Sequence, residues 1–213
     1  MLLLLLIVTY LLSAFTNSYW IGAFQLAVFV ATGFLALRSS GLPLRRARLI
    51  GVTGLAISAA AFGLSVTRPN DAAIGAASIW TGVLLLVTIV LIVRRILVFE
   101  TVTIQSIFAA VSAYLMIGLM FAAFYAADYQ LHNHQFFADH QGLSNSQTFQ
   151  YFSFTTLTTL GYGDFTAIDS GGRAVAMLEA LTGQIFLATL VARLVAGFRA
   201  PSSREEDSER GQD

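Results

Sequence analysis

Long apolar runs separated by short polar punctuation dominate this chain. Stretches of low charge and helical length fall at about Met1–Phe15, Tyr19–Leu37, Leu49–Val66, Ala72–Val93, Gln105–Ala127 and Ala174–Phe198. A helix rises about 1.5 Å per residue, so about 20 residues cross a hydrocarbon core about 30 Å thick. The last five runs meet that requirement within its normal range. The first, MLLLLLIVTYLLSAF, is short. No basic residue precedes it and no A-x-A-like cleavage site follows. It therefore reads as a short or tilted first helix, joined to the second by a Thr16-Asn17-Ser18 turn, in preference to a cleaved signal peptide.

Composition agrees with that pattern. The 213 residues are 56% hydrophobic and 11% charged, whereas soluble domains carry about 25% charged residues. So little polar surface cannot clothe a globule in water, and lipid is the expected surrounding. Twelve basic residues balance twelve acidic ones, which argues against a nucleic-acid-binding face. The absence of cysteine excludes disulfides, thiolate catalysis and cysteine-based zinc sites.

Placement of the charges says more than their sum. All twelve basic residues are arginine. Arg38, Arg45, Arg46 and Arg48 lie between runs two and three, Arg94 and Arg95 after run four, and Arg199, Arg204 and Arg210 after run six. With six alternating helices these nine share one side, predicted to be cytoplasmic with both termini. The other side has Arg68 and Arg173 against Asp71, Asp128, Asp139, Asp164 and Asp169, an excess of three negative charges that would concentrate cations there. The tail SSREEDSERGQD, mixed in charge and free of apolar residues, reads as disordered.

The connection between runs five and six differs from the rest. It extends from Asp128 to Arg173, 46 residues, and a loop that long is usually functional or has its own structure. Within it, SNSQTFQYFSFTTLTTL offers polar caps and then about three turns of helix, Gln147–Thr158, too short to span the membrane. That helix runs directly into a glycine-rich string. Irregular backbone at membrane depth is tolerated only where protein buries it or water reaches it.

The string is Thr158-Thr159-Leu160-Gly161-Tyr162-Gly163-Asp164. It closely resembles the selectivity filter of potassium channels, T-V-G-Y-G followed by Asp. The surrounding FSFTTLTTLGYGDFTA is similar to the pore helix and filter of the bacterial pore-loop channels. The resemblance covers runs five and six, about the last 100 residues, and departs from the family at Leu160, where valine is commoner, and at Ala167, where proline often stands. It implies K+ as the permeant ion, bound at Thr159, Leu160, Gly161, Tyr162 and Gly163. The physical logic is that a K+ ion shedding its water shell needs rings of carbonyl oxygens. Aiming consecutive carbonyls one way requires positive φ, which glycine adopts without steric cost. Asp164, Tyr151, Phe152 and Glu179 are the expected supports of the filter, with Tyr162 packed against Tyr151 and Phe152. One chain supplies one filter strand, so a closed homotetramer in the lipid bilayer is expected.

In run six Gly183 falls where the family carries a gating-hinge glycine; the alternative is a glycine that permits close helix packing. Gly183, Leu187, Val191 and Val195 share one helix face and form the expected hinge and cavity lining. Glu179 is an intramembrane acid expected to face protein, and Arg193 near the helix end is expected to snorkel. Run four has no arginine until Arg94 and Arg95, so the regularly spaced gating charges of a voltage sensor are missing.

The sequence thus predicts an all-α membrane protein of six transmembrane helices with a re-entrant pore helix and filter. A four-helix region over 1–98 precedes a pore domain over 99–200 and a tail over 201–213. The function expected is passive, K+-selective conduction in a bacterial-type inner membrane, voltage-insensitive or weakly voltage-sensitive. The alternatives are a non-selective cation channel and a non-conducting sensor or regulatory subunit. No enzyme motif, cofactor or nucleic-acid partner is expected, though an unlinked regulatory subunit is open. His132 and His134, with His140 and Asp139 nearby, have spacing that binds metals, but a solvated turret is the preferred reading.

Overall fold

The structure, a computed structural model, describes residues 71–98, 103–132, 135–138 and 145–198, together with Ala60 and Gly63. Runs one and two, run three apart from Ala60 and Gly63, the tail, and His134, Asp139 and His140 lie outside the described residues. Four helices follow in order: α1 (Asp71–Val98), α2 (Ile104–His132), α3 (Ser146–Leu157) and α4 (Ser170–Phe198). The three long ones are long and apolar enough to cross a membrane. At 28 or 29 residues each they measure about 42 Å, so their ends pass beyond the hydrocarbon. With 12 residues, α3 is about 18 Å long and cannot cross.

The chain packs around α2. A Cβ added at Gly75 would meet Leu131, and one added at Gly82 would meet the Phe124 ring at 2.5 Å. The partner number falls as the α1 number rises, so α1 and α2 are antiparallel neighbours. Below these glycines, Leu85, Ile89 and Ile92 of α1 join Ala113, Met116, Ile117 and Met120 of α2 in one buried cluster, with Leu157 of α3. Lipid is as apolar as leucine, so close fit and hydrogen bonds, not escape from water, hold these helices together. The predicted boundary between residues 98 and 99 therefore falls between two helices that share a core.

At the other end of α2 the core is aromatic. Tyr125, Phe136, Phe137, Phe149 and Phe152 are buried with Ala122 and Ala167, their rings meeting edge to face or tilted at centroid distances such as 5.1 Å for Tyr125–Phe152 and 5.0 Å for Phe136–Phe137. Such arrangements suit the ring quadrupoles. This cluster anchors the segment 135–138, which pairs with the chain beyond the glycine-rich string: Ala138 N donates to Thr166 O at 2.9 Å and Ile168 N to Phe136 O at 3.0 Å.

Candidate functional site

The short helix α3 is defined by its caps. Asn145, extended at φ −99°, accepts from Thr148 N through its side chain at 2.9 Å, satisfying one of the orphan amides at a helix start. At the other end the last carbonyls all find donors. Phe154 O accepts from Thr158 N, Thr156 O from Thr159 N, and Thr155 O from both Leu160 N at 2.9 Å and Gly161 N at 3.1 Å. Leu157 O accepts from the Tyr114 hydroxyl at 3.3 Å.

Those bonds orient the string that follows. In a trans peptide the N–H and C=O point in opposite directions. With the amides of Leu160 and Gly161 turned back on Thr155 O, the carbonyls of Thr159 and Leu160 face away from α3. The φ values then alternate in sign class. Thr159 has φ 57°, Gly161 φ 49° and Gly163 φ 80°, and among the described residues Thr159 is the sole non-glycine with positive φ. A regular strand sends successive carbonyls to opposite sides. Alternation of left- and right-handed residues brings them to one side instead. For a β-branched residue the left-handed region costs about 1–3 kcal/mol. The Thr159 N bond to Thr156 O at 2.9 Å and the Thr159 hydroxyl bond to Thr158 O at 2.7 Å help to hold that conformation. Gly161 and Gly163 have nothing within 4 Å of a built Cβ, so backbone conformation, not crowding, requires glycine at both.

The side chains around the string divide into two sets. Tyr151 donates to Asp164 Oδ2 at 2.8 Å and stacks edge-on against Phe165. Asp164 Oδ1 also accepts from Phe165 N at 3.1 Å. The bond to Asp164 holds the Tyr151 phenol above its ordinary range. Phe152 does not join them. It is 6% exposed in the aromatic cluster, while Tyr162 is 69% exposed. Adjacent residues on a helix point about 100° apart: Tyr151 lies on the Asp164 side, while Phe152 packs on Phe137, which in turn meets Phe165.

Behind α3, Glu179 is fully buried. It accepts from the Tyr125 hydroxyl at 2.7 Å and contacts the Ser153 hydroxyl, which also bonds Gly118 O at 2.7 Å. One carboxyl thus ties α4 to α2 and α3. Sequence reasoning singled out Glu179 but missed Tyr125 and Ser153. The Ser153 spacing within FSFTTL would have marked it only as a polar position on an otherwise aromatic face.

Gly183 packs against the same helix. A Cβ there would lie 2.5 Å from Leu157 O and 2.9 Å from Leu157 Cδ1. The helix α4 continues unbroken through it to Phe198. Of the two readings of this glycine, close packing is the one with a contact behind it. Glu179, Gly183 and Phe186 share the side turned to the chain's own core, with Phe186 against Tyr114. At about 100° per residue, Gln184, Ala188, Val191 and Val195 fall together on another side and are exposed, while Leu187 is intermediate between the two. Gln184 Nε2 donates to Thr159 Oγ1 at 3.3 Å, which places this second face next to the start of the string. Gln184, not Gly183, belongs with Val191, a residue that apolar periodicity could not select.

Three further features complete the region. Asp169 caps α4, accepting from Gly172 N at 2.7 Å, and Arg173 Nε donates to Ala167 O at 2.9 Å. Ala167, where a proline was the commoner residue, is buried and bridged to Phe137, so the segment after the string is held by pairing. His132 pairs with Asp128 at 2.9 Å, and among the described residues no group of three or more metal-binding side chains forms.

Comparison with known proteins gives one family. Residues 113–199 match the model Ion_trans_2, described as an ion channel. The match takes in most of α2, all of α3, the glycine-rich string and α4. No curated protein and no solved structure matches the chain. With three helices able to cross a bilayer, this is an integral membrane protein whose residues 113–199 match an ion channel.

Proposed function

We propose that the chain is a K+-selective channel subunit that conducts passively as a homotetramer, with Thr159–Gly163 as its filter. The observation that carries this reading is the alternation of positive φ at Thr159, Gly161 and Gly163, combined with amides turned back onto Thr155 O. That backbone presents successive carbonyls to one side. Four such strands around an axis would give stacked rings of oxygens that replace a K+ hydration shell without a fixed charge in the path.

Exposure supports the tetramer. Leu160 and Tyr162 are 55% and 69% exposed beside the string, and the apolar window of α4 is 11% buried against 56% for α2. The string and α4 are thus less covered by the chain itself than α2 is, and in the proposed fourfold assembly they would meet their counterparts. The C-terminal end of α3, with its partial negative charge, would favour a cation below the filter. Asp164 adds negative potential at the mouth. In α1 only Arg94 and Arg95, at its end, are basic, which supports a pore without an intrinsic voltage sensor. Arginine placement supports cytoplasmic termini in a bacterial-type inner membrane.

Purified protein in liposomes tests the reading. Barium-sensitive K+ flux that exceeds Na+ flux is expected, and Gly161→Ala or Tyr162→Asp should abolish the selectivity. No K+ flux from the intact tetramer would refute conduction. Equal K+ and Na+ flux would replace it with a non-selective cation channel.

A further inference from the structure

The group around Glu179 contains more hydrogen-bond contacts than its hydroxyls can supply. Three contacts join four polar groups: Tyr125 hydroxyl to Glu179 Oε2, Ser153 hydroxyl to Glu179 Oε1, and Ser153 hydroxyl to Gly118 O. Each contact needs one hydrogen. Tyr125 and Ser153 carry one each, and a backbone carbonyl carries none. Two hydrogens serve three contacts unless the carboxyl brings the third. No cation offsets a charge there: among the described residues no ion pair involves Glu179. Its titratable neighbours are Tyr125, through the hydrogen bond, and Tyr114 of the same helix, while α3 faces it with a serine. Burying an unpaired carboxylate at full depth is costly, and a protonated acid removes that cost.

We infer that Glu179 is held as a neutral carboxylic acid that donates its proton to Ser153, making it the positioning residue that locks α3 behind the filter. The relay runs in one direction. Tyr125 donates to Oε2, Oε1–H donates to Ser153 Oγ, and Ser153 donates to Gly118 O. Every hydrogen in the group then has its own acceptor, as buried polar networks require. Ser153 sits in the middle of α3, two residues before Thr155, whose carbonyl holds the Leu160 and Gly161 amides. The acid therefore fixes the helix from which the filter backbone is hung. This functional consequence rests on the channel reading above, whereas the protonation itself does not.

Infrared spectroscopy of the full chain in lipid nanodiscs at neutral pH tests the chemistry. The wild-type minus Glu179→Gln difference spectrum should contain a positive carbonyl stretch of a buried carboxylic acid and no carboxylate bands. A difference made of carboxylate bands means an ionised Glu179 with the Ser153 hydrogen shared between two acceptors, and overturns the proposal. Glutamine can donate to Ser153 and accept from Tyr125, so Glu179→Gln should assemble and keep its K+ over Na+ selectivity. Glu179→Ala should lose that selectivity. A glutamine variant that fails to assemble, or that fails as completely as alanine, overturns the proposal, as does an alanine variant that keeps full selectivity. The infrared result is read whether or not the wild-type protein conducts, so failure of the channel reading remains separate.

Discussion

Replacing Gly183 with alanine distinguishes a packing glycine from a bending one. An added methyl would stand 2.5 Å from Leu157 O and 2.9 Å from Leu157 Cδ1, about 1 Å inside ordinary contact with the oxygen. The oxygen belongs to the backbone at the C-terminal end of α3 and already accepts from Tyr114, so it cannot swing aside as a side chain would. Overpacking of this kind costs about 1–3 kcal/mol, and loss of the Tyr114 bond adds about 1 kcal/mol. Against this, alanine gains about 1 kcal/mol in helix propensity over glycine. The net expectation is a loss of about 1–3 kcal/mol, felt at α3 and hence at the proposed filter. Thermal dissociation of the proposed tetramer in detergent should occur at lower temperature, and bilayer recordings should show reduced K+ over Na+ selectivity. A hinge glycine makes a different prediction, altered open probability with selectivity and tetramer stability intact. That result for Gly183→Ala would refute the packing argument.

Other expectations follow from single contacts. Asn145→Ala removes the cap of α3 and should lower thermal stability by about 1 kcal/mol, with recovery in Asn145→Asp; an unchanged melting temperature would contradict the cap. Gln184→Ala removes the amide that reaches Thr159 Oγ1, and a hydrogen bond worth about 0.5–1.5 kcal/mol corresponds to about a two- to tenfold change in occupancy of the innermost ion site. Unitary current should report it without a change in tetramer stability, and wild-type current would show that Gln184 does not act on the filter. The Tyr151 phenol is raised by its bond to Asp164, so the bonded form is fully present below the ordinary phenol value of about 10 and is lost as pH rises through the folded value. Conduction should therefore show no Tyr151-dependent change between about pH 6 and about pH 9, and an alkaline loss that Tyr151→Phe abolishes.

Much of this was legible in the chain because it depends on local pattern. Runs four, five and six appear as α1, α2 and α4, each a few residues longer than its apolar core, since polar residues such as Asp71 and Asp169 begin or cap helices without being apolar. The short helix before Gly161 is legible to within a residue of its ends, because Asn145 is a helix-starting cap and the glycine-rich string ends the helical pattern. What spacing leaves open is environment. Tyr151 and Phe152 are adjacent in sequence, and spacing groups Gly183 with Leu187 and Val191, yet spacing says which residues share a face and not what that face meets.

By itself, the sequence determined that the chain is membranous, where its spans fall among the described residues, and that positions 161 and 163 need glycine. These follow from apolar run length and from the φ values that a carbonyl-lined turn demands. Tertiary structure decided the rest: that Gln184 reaches Thr159, that Gly183 makes room for Leu157 O, and that Glu179, Tyr125, Ser153 and Gly118 form one group. The contacting pairs are separated by 25 to 54 positions along the chain, and neither periodicity nor composition relates them. Only the approach of three helices brings their few polar atoms within hydrogen-bond reach, and for the buried Glu179, Tyr125 and Ser153 each polar atom must find its partner within the protein.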